Sequence, residues 1–319
     1  MIPKVSVIVP NFNHARYLDQ RMRSVLDQTY RDLEVIFLDD ASTDESREVF
    51  RKYEDDTRVR TVFSDKNSGS PFVQWNKGVK MAKGEYVWIA ESDDYADAEL
   101  LETLVGVLDR NPDVGIAYCA SMQVDEDGAE LGVWLPADIG GYGLDENRWR
   151  ADFMNDGRDE CRDYMIVRCT IPNASAVVFR KSVYERAGYA DETMRLCGDW
   201  LMWSRMLMIS GIFYTATPLN FFRTHRRSVR STIEGEAAKI AEMYRVIRFI
   251  AGGIDVPPDI MRRVNADMAG LWAAFMLSKR GRKNWRRNRV IYVEAVRGGG
   301  AARLLSAVVW AVLRRIARV

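Results

Sequence analysis

The chain has 319 residues, of which 47% are hydrophobic and 29% charged, and its formal net charge is +1 at neutral pH. This length suffices for one large α/β domain with additions or for two domains, and the ordinary hydrophobic content excludes a disordered chain. No apolar run reaches the about 20 residues that a membrane span requires. Met1 leads directly into an apolar strand, which predicts that no secretory signal is present. The four cysteines show neither a CxxC pair nor zinc spacing, which indicates reduced thiols in a cytosolic protein.

In residues 1–112, apolar strands alternate with amphipathic helices. Strands are predicted at 5–10, 33–38, 59–63 and 84–90, and helices at 16–28, 46–53, 72–81 and 98–110. This alternation predicts an open parallel sheet with right-handed crossovers. Ligands of such sheets bind at the carboxyl ends of the strands.

Polar clusters follow three of these four strands, at residues 10–13, 39–40 and 91–94. The last cluster holds the carboxylates of Glu91, Asp93 and Asp94, which repel one another and raise one another's pKa unless a cation lies among them. Clustered oxygen ligands suit a hard divalent ion such as Mg²⁺ or Mn²⁺. The alternative is a polar turn that ends the strand and caps the next helix.

The second half of the chain is less regular. Strands are predicted at 114–124, 174–179 and 218–225, short helices at 181–187 and 198–210, and a loop or lid at 134–165. Asp199 lies at the start of a predicted helix, where a carboxylate is electrostatically favoured. His225, one of only two histidines, ends the last predicted strand.

The C-terminal region is basic and helical. Residues 237–279 are predicted to be helical with interruptions near 252–253 and 257–258, and Glu294 is the only acidic residue after Lys279. In 304–316 apolar residues recur at helical spacing between arginines, which is typical of an amphipathic helix at a membrane surface. The alternative is a helix packed on the protein's own core or on a partner chain. The charge predicts an anionic partner, either lipid or nucleic acid.

Several motifs occur together in a fixed order. They are VSVIVPNFN at 5–13, DDASTD at 39–44, NSG at 67–69, NKG at 76–78, and GEYV at 84–87 leading to SDD at 92–94. This set resembles the family 2 glycosyltransferases, whose α/β GT-A fold has a mostly parallel nucleotide-binding sheet flanked by helices. The resemblance covers about residues 4–230. It divides 1–230 into a nucleotide-sugar-binding half (1–112) and an acceptor-binding and catalytic-base half (113–230), followed by a basic helical extension (231–319).

The resemblance also implies roles for individual residues. Asp199 would be the catalytic base, and the metal would be held by Asp94 with Asp93 and His225. Glu91 would have no ligand role, and His14 would have none at all. His225 has the alternative of an exposed loop residue. The residues expected to contact the donor are Pro10, Phe12, Asn13, Asp40, Asn67, Asn76 and Asp93.

The function implied is a metal-dependent, inverting transfer of one hexosyl or N-acetylhexosaminyl residue from a nucleotide diphosphate sugar, expected to be a UDP-sugar. The Gln-x-x-Arg-Trp motif of processive synthases is absent, which favours addition of a single sugar. The acceptor would be a hydroxyl of a saccharide or lipid-linked saccharide in cell-surface polysaccharide synthesis. The expected location is cytoplasmic, at the inner face of the membrane, with Mn²⁺ or Mg²⁺ as cofactor and no nucleic-acid partner.

Other classes fit the sequence less well. A dinucleotide-dependent oxidoreductase or a sugar-phosphate nucleotidyltransferase needs a glycine-rich loop after the first strand, but PNFNH at 10–14 contains no glycine. A nucleic-acid binder would account for the basic tail and for nothing in the first half. A non-catalytic protein that binds sugar nucleotides or polysaccharide would keep the donor pocket without needing Asp199.

Overall fold

The computed structural model describes residues 2–136, 144, 145, 147–224, 233–279, 281, 283–297 and 309. In these residues ten strands form one sheet, and helices cover both of its faces. The strands are β1 (Val5–Asn11), β2 (Leu33–Asp39), β3 (Val59–Phe63), β4 (Tyr86–Ile89), β5 (Tyr95–Ala96), β6 (Val114–Val124), β7 (Glu130–Trp134), β8 (Phe153–Asn155), β9 (Val177–Arg180) and β10 (Gly211–Arg223). The helices are α1 (Ala15–Leu26), α2 (Ser46–Phe50), α3 (Pro71–Met81), α4 (Leu100–Arg110), α5 (Gly157–Glu160), α6 (Lys181–Arg186), α7 (Gly198–Leu207), α8 (Ile233–Gly253), α9 (Pro258–Leu277) and α10 (Trp285–Arg297).

The sheet combines a parallel half with a mixed half. Its main order is β3-β2-β1-β4-β9-β6-β10-β5, with β7 beside β6 and β8 beside β10. Strands β1 to β4 pair only in parallel with one another, as the alternating pattern predicts. Strand β9 lies antiparallel between β4 and β6, so it joins the two halves and makes the whole sheet mixed.

The side chains of β1 alternate between two cores, as the two-residue period of a strand requires. Val7 and Val9 belong to the core beneath α1 and α4, whereas Ile8 belongs to the opposite core, which α3, α7 and α8 cover. All seven residues of β1 are buried. A strand buried on both faces explains why the sequence shows a continuous apolar run here.

Several elements of the second half differ from the sequence prediction, among them α5, which lies inside the predicted loop or lid, and β9, which begins at Val177 and not at 174. Strand β10 begins at Gly211, seven residues before the predicted start at 218. Strand β8 pairs antiparallel with β10 inside the stretch predicted as a loop or lid. A strand of three residues is too short to show an alternating pattern, and β10 carries register shifts that interrupt its own pattern.

Helices α8 to α10 occupy the predicted basic extension. Helix α8 ends at Gly253 and α9 begins at Pro258, which confirms the predicted interruption. Helix α8 packs against α7 and α10. Across the residues described, no helix combines the length and the apolar character that crossing a bilayer demands. The predicted amphipathic segment 304–316 lies outside the described residues except for Val309.

Candidate active site at the carboxyl edge of the sheet

The carboxyl ends of β1, β2 and β4 meet at one edge of the sheet. Asn11, which ends β1, is in register with Asp39, which ends β2. The Asn11 side chain donates to Asp39 Oδ2 over 3.1 Å, and the Asp40 N–H donates to the Asn11 carbonyl over 2.9 Å. Strand β4 lies on the other side of β1. The three polar clusters predicted from the sequence are therefore neighbours in space.

Asp40 is buried behind β2 and holds the loop that precedes α3. Its carboxylate accepts the Ser68 N–H over 3.0 Å, the Ser68 hydroxyl over 2.7 Å and the Gln74 amide over 2.7 Å. Asn67 closes the same loop by accepting the Gly69 N–H, and Gly69 adopts φ 71°. Charge-assisted bonds of this kind are stronger than neutral ones, so the loop is set by Asp40.

Asn13 joins the loop after β1 to the loop after β2. Its backbone is left-handed, with φ 58°, and its side-chain oxygen accepts the N–H groups of Thr43 over 2.7 Å and of Asp44 over 3.3 Å. Asp44 in turn accepts the Ala15 N–H over 2.9 Å. The side-chain oxygen of Asn13 is thus used to position the two loops, while Phe12, 43% exposed, offers an apolar ring at the same edge. Pro10 is buried within β1.

The acidic turn after β4 places Asp94 in the interior. Asp94 is 3% exposed, and its Oδ1 accepts the backbone N–H of Arg223 over 2.9 Å. The Arg223 side chain donates from Nε to the Asp93 carbonyl over 2.9 Å and from Nη2 to Gln20 over 2.8 Å. The end of β10 therefore holds the acidic turn in place. The bond to Gln20 also joins the end of β10 to α1.

A buried arginine lies beneath the turn. Arg21 of α1 has no exposed surface, and it donates from Nε to the Glu91 carbonyl over 2.8 Å and from Nη2 to Ser175 over 3.2 Å. Burial lowers the pKa of Arg21 to about 10, against the opposing effect of Asp94, Asp93 and Glu91. Among the residues that the structure describes, no hydrogen-bond partner reaches its Nη1 atom. Arg21 therefore supplies positive charge directly below the carboxylates.

This arginine does not neutralise the acidic turn completely. Burial, followed by the charge of Asp93, raises the pKa of Asp94 to about 7. Burial and Asp93 also raise the pKa of Glu91 to about 8, although part of the Glu91 surface remains accessible. Raised carboxyl pKa values mean that further positive charge at this position is electrostatically favoured.

The acidic turn supplies part of the ligand set that a divalent cation needs. Within the described ranges no three His, Cys, Asp or Glu side chains converge as a complete cage. A Mg²⁺ ion bound beside phosphates typically takes one or two carboxylates and completes its octahedron with phosphate oxygens and water. Asp94 and Asp93 match that donor set. His225, the third predicted ligand, lies outside the described residues.

A chain of side-chain contacts joins the acidic turn to Asp199. The Trp75 indole of α3 donates to Glu91 Oε1 over 2.8 Å, and its ring packs edge-on against Phe72 at 5.1 Å between centroids. A Cβ atom built on Gly198 would lie 2.4 Å from the Phe72 ring. Residue 198 must therefore be glycine for α7 to start this close to α3, and Asp199 is the next residue.

Asp199 lies in the first turn of α7, at the helix start that the sequence predicts. It is partly buried, and its Oδ1 accepts the Trp200 N–H over 2.8 Å. The Trp200 indole donates to the Met165 carbonyl over 2.9 Å, which anchors the first turn of the helix. A carboxylate in the first turn of a helix is favoured by the helix dipole.

Asn76 is placed differently from the other predicted donor contacts. Its amide nitrogen donates to the Ala190 carbonyl and to Glu192, each over 2.9 Å, and its oxygen accepts from Tyr184 over 2.8 Å and from the Ala190 N–H over 3.0 Å. These bonds use both donors and both acceptors of the amide. In this structure Asn76 joins α3 to the segment that leads to α7, and its contact with a donor stays a prediction.

Sequence reasoning missed the residues that hold the site from outside its motifs. Arg21 did leave a signal, because it follows Leu18 by three positions on the apolar face of α1, where a charged residue is unexpected. His14, to which the sequence gave no role, has its Nδ1 2.8 Å from the Ser92 hydroxyl and so joins the first loop to the acidic turn. The other missed residues are Trp75, Ser175, Arg223 and Glu242.

Comparison with protein families agrees with the motifs. Residues 6–161, just under half of the chain, match the model of Glycosyl transferase family 2. The chain is 41% identical over 101 residues to Glycosyltransferase GlyG of Streptococcus pneumoniae and 40% identical over 101 residues to the Putative teichuronic acid biosynthesis glycosyltransferase TuaG of Bacillus subtilis. Each match covers 31% of this chain, and they span 33% of GlyG and 40% of TuaG. Residues 6–161 of this chain are therefore similar to a family 2 glycosyltransferase domain.

Solved structures confirm the fold. The crystal structure of TarS 1-349 from Staphylococcus aureus matches with a TM-score of 0.63 at 17% identity, over 96% of this chain and 83% of that one. The mannosyltransferase PcManGT from Pyrobaculum calidifontis, in complex with GDP-Man and Mn²⁺, matches with a TM-score of 0.57 at 18% identity, over 98% of this chain and 81% of that one. The predicted GT-A fold, a sheet flanked by helices, is thus confirmed.

Proposed function

We propose that this protein is a family 2 glycosyltransferase that moves one sugar from a nucleotide diphosphate sugar to a hydroxyl group, with inversion at the anomeric carbon. The observation that carries the proposal is the meeting of the Asp40 loop and the acidic turn at one sheet edge. The contacts through Trp75 and Phe72 then lead from that edge to Asp199. A donor site and a base on adjoining elements are the two parts that such a transfer needs.

In this proposal the loops after β1 and β2 bind the nucleotide. Phe12 offers its exposed ring to the nucleobase of the donor. Asp40 accepts a hydrogen bond from the same nucleobase. Asn13 and Asn67 shape the loops on either side, and Pro10 lies in β1 one residue before its end. Asp93 lies at the turn, where it contacts the ribose or the metal. The apolar ring and the carboxylate act on the same base, one by stacking and one by hydrogen bonding.

Asp199 acts as the general base. Its carboxylate removes the proton of the acceptor hydroxyl as that oxygen attacks the anomeric carbon, and the bond from that carbon to the diphosphate breaks. Attack from the face opposite the leaving group inverts the configuration. Asp94 and Asp93 would hold the divalent cation, which stabilises the negative charge on the departing diphosphate as a Lewis acid.

UDP is the nucleotide proposed first. TarS is named a poly(ribitol-phosphate) beta-N-acetylglucosaminyltransferase, shares 33% identity over 110 residues with this chain, and has been solved in complex with UDP-GlcNAc. TuaG is named for teichuronic acid biosynthesis. These names support a hexosyl or N-acetylhexosaminyl donor and an acceptor in cell-surface polysaccharide synthesis, either a saccharide or a lipid-linked one.

A thermal-shift screen of UDP, GDP and dTDP, each with and without Mn²⁺, tests the donor site. We expect one nucleotide to raise the melting temperature more in the presence of Mn²⁺ than in its absence. The sugar nucleotides of that base are then assayed for hydrolysis and transfer. Stabilisation without any turnover would instead support the non-catalytic binding protein, and no stabilisation by any nucleotide would contradict the donor site.

Asp94→Asn tests the metal site. We expect the variant to bind the nucleoside diphosphate with an affinity that no longer depends on Mn²⁺, as measured by calorimetry with and without the ion. Asp97→Asn is the matched control, because Asp97 follows the same turn and accepts only the nearby Glu99 N–H among its side-chain bonds. An Asp94→Asn variant that retains the full Mn²⁺ dependence would remove Asp94 from the proposal.

Helix α10 favours a second property, attachment to an anionic membrane surface. Trp285 is 65% exposed and Val290 56% exposed, and they line one groove on the side of the helix opposite buried Ile291. The groove is completed by Arg286, Arg289, Val293 and Glu294. An aromatic and an aliphatic side chain among arginines suit the boundary between lipid headgroups and acyl chains. This would place the enzyme at the cytoplasmic face of the membrane, beside a lipid-linked acceptor.

Liposome flotation tests this attachment. We expect the wild type to float with vesicles that contain phosphatidylglycerol and not with pure phosphatidylcholine, and Trp285→Ser to reduce flotation several-fold. A chain that ends at Arg297 measures how much residues 298–319 contribute. Equal flotation with neutral and anionic vesicles would contradict an attachment that depends on charge. Binding to nucleic acid and not to vesicles would show that the anionic partner is nucleic acid.

A further inference from the structure

Glu242 of α8 holds the backbone directly before Asp199. Its carboxylate is buried and accepts three consecutive backbone N–H groups, from Arg195 over 2.8 Å, from Leu196 over 2.9 Å and from Cys197 over 2.8 Å. Cys197 is the residue from which α7 begins, and Gly198 and Asp199 follow it. One side chain of the C-terminal helical region thus binds the whole approach to the proposed base.

The chemistry of these three bonds makes the contact strong. Successive N–H groups that point to one place form an anion-binding concavity, and the start of a helix adds the positive end of its dipole. Bonds from N–H groups to a carboxylate are about twice as strong as bonds between neutral groups. Because Glu242 fills this concavity from within the protein, the start of α7 is occupied by a group of the chain itself.

The opposite side of the same backbone is also fixed. Gly198 lies against the Phe72 ring so closely that any side chain at 198 would collide with it. The backbone before Asp199 is therefore confined between α3 on one side and α8 on the other. A small displacement of this backbone would move the Asp199 carboxylate relative to the donor site, because Cys197, Gly198 and Asp199 are consecutive residues at the start of α7.

We propose that Glu242 is a positioning residue for Asp199, so that the helix α8 belongs to the catalytic unit. This inference rests on the proposed role of Asp199 as the base. Glu242 touches no reacting group in this account, and it acts only by fixing the backbone of residues 195–197. The C-terminal helical region then has a part in the transfer reaction in addition to any contact with a membrane.

Transfer kinetics of Glu242→Gln test the proposal. Glutamine keeps the length but replaces one acceptor oxygen with an NH₂ group, which faces a backbone donor. We expect kcat to fall about 10- to 100-fold, the loss that a displacement near 1 Å can cause, while the donor Kd from calorimetry stays within about twofold. Glu242→Asp, which keeps the charge, should recover part of kcat.

Arg245→Gln is the matched control. Arg245 lies one turn further along α8 and contacts Asp191 over 3.5 Å, but it makes no bond to residues 195–197. We expect its kcat to equal that of the wild type. A fall in kcat of the same size in Arg245→Gln would show that any disturbance of α8 has this effect, and it would overturn the specific role of Glu242.

The double variant Asp199→Asn/Glu242→Gln separates positioning from a general structural role. Residues that act through one group are not additive, so the double variant should transfer no more slowly than Asp199→Asn alone. Multiplied losses, a donor Kd that rises with the fall in kcat, or failure of both Glu242 variants to fold would each overturn the proposal. If Asp199→Asn transfers at the wild-type rate, the proposed base is wrong. If Asp199→Asn loses transfer as expected but Glu242→Gln keeps the wild-type rate, only the present inference is wrong.

Discussion

The two parts of the candidate site are built in opposite ways. At the sheet edge, Asn13 and Asp40 bind the turns that follow neighbouring strands and Asn67 binds its own turn, so the motifs of the first half of the chain hold one another in place. The start of α7 is held by Phe72, Met165 and Glu242, which come from three distant parts of the chain. The loops proposed to bind the nucleotide are therefore held by one another within the first half of the chain, whereas the proposed base depends on contacts with α3, the segment around Met165 and α8.

The largest effect expected from this comparison is the loss of transfer in Asp199→Asn. A positioned general base contributes about 10²–10⁴-fold to rate, so we expect kcat to fall by that factor while the donor Kd stays within a few-fold. Steady-state kinetics and calorimetry on the same preparation measure both. If the variant transfers normally, or if it loses donor binding to the same extent as activity, the separation between the two parts of the site is wrong.

Arg21→Met tests how far the donor side depends on a residue outside its motifs. Removing one partner of a buried charge cluster costs about 3–5 kcal/mol, because the remaining charges lose their compensation. We expect a decrease of this size in the free energy of unfolding, measured by urea denaturation at pH 7. Arg23→Met on the same helix is the control, since Arg23 is 66% exposed and solvent screens its ion pair with Asp19. Equal stability of the two variants would contradict the role of Arg21.

Asp40→Asn tests the donor side itself. Hydrogen bonds to a charged group contribute about 1.5–3 kcal/mol, which corresponds to a rise in donor Kd of about 10- to 100-fold. We expect kcat at saturating donor to change much less than Kd, the reverse of the result for Asp199→Asn. Ser68→Ala removes the hydroxyl that donates to Asp40 over 2.7 Å and leaves the carboxylate in place. If Ser68→Ala weakens donor binding as much, Asp40 acts by holding the loop and not by contacting the base.

The same contrast explains what could be predicted from the sequence. The parallel strands β1, β2 and β4 and the polar residues that follow them were predicted because burial on both faces gives continuous apolar runs, and the turns interrupt those runs visibly. Asp199 was placed at a helix start because Gly198 and the apolar helix that follows are local signals. Strand β8 left no such signal, since three residues cannot show a period.

The residues that support the site were not predictable in the same way. Glu242 acts on backbone N–H groups 45 to 47 positions away, and any carboxylate on α8 with the right reach would show the same pattern in the sequence. Arg223 binds Asp94 through its own backbone, so its side-chain type carries no information about that contact. Only Arg21, a charge on an apolar helix face, conflicted locally with its surroundings and could have been recognised.

The weakest expected effect concerns the loop before the base, where Asp191 accepts the Thr193 N–H over 2.9 Å and the Thr193 hydroxyl over 2.6 Å. Burial raises the pKa of Asp191, but the bonds from Thr193 and the charge of Arg245 outweigh it, so the pKa in the folded protein lies below the ordinary value. A lowered pKa in the folded state contributes stability above the unfolded value, near pH 4, and this contribution is lost as the pH falls through the folded value. We expect Asp191→Asn to cost less than about 1 kcal/mol at pH 7, and the difference from the wild type in urea denaturation to shrink between pH 5 and pH 3. A difference that grows on acidification would mean that ionised Asp191 destabilises the folded protein, and the bonds from Thr193 would then fail to offset the burial of its carboxylate.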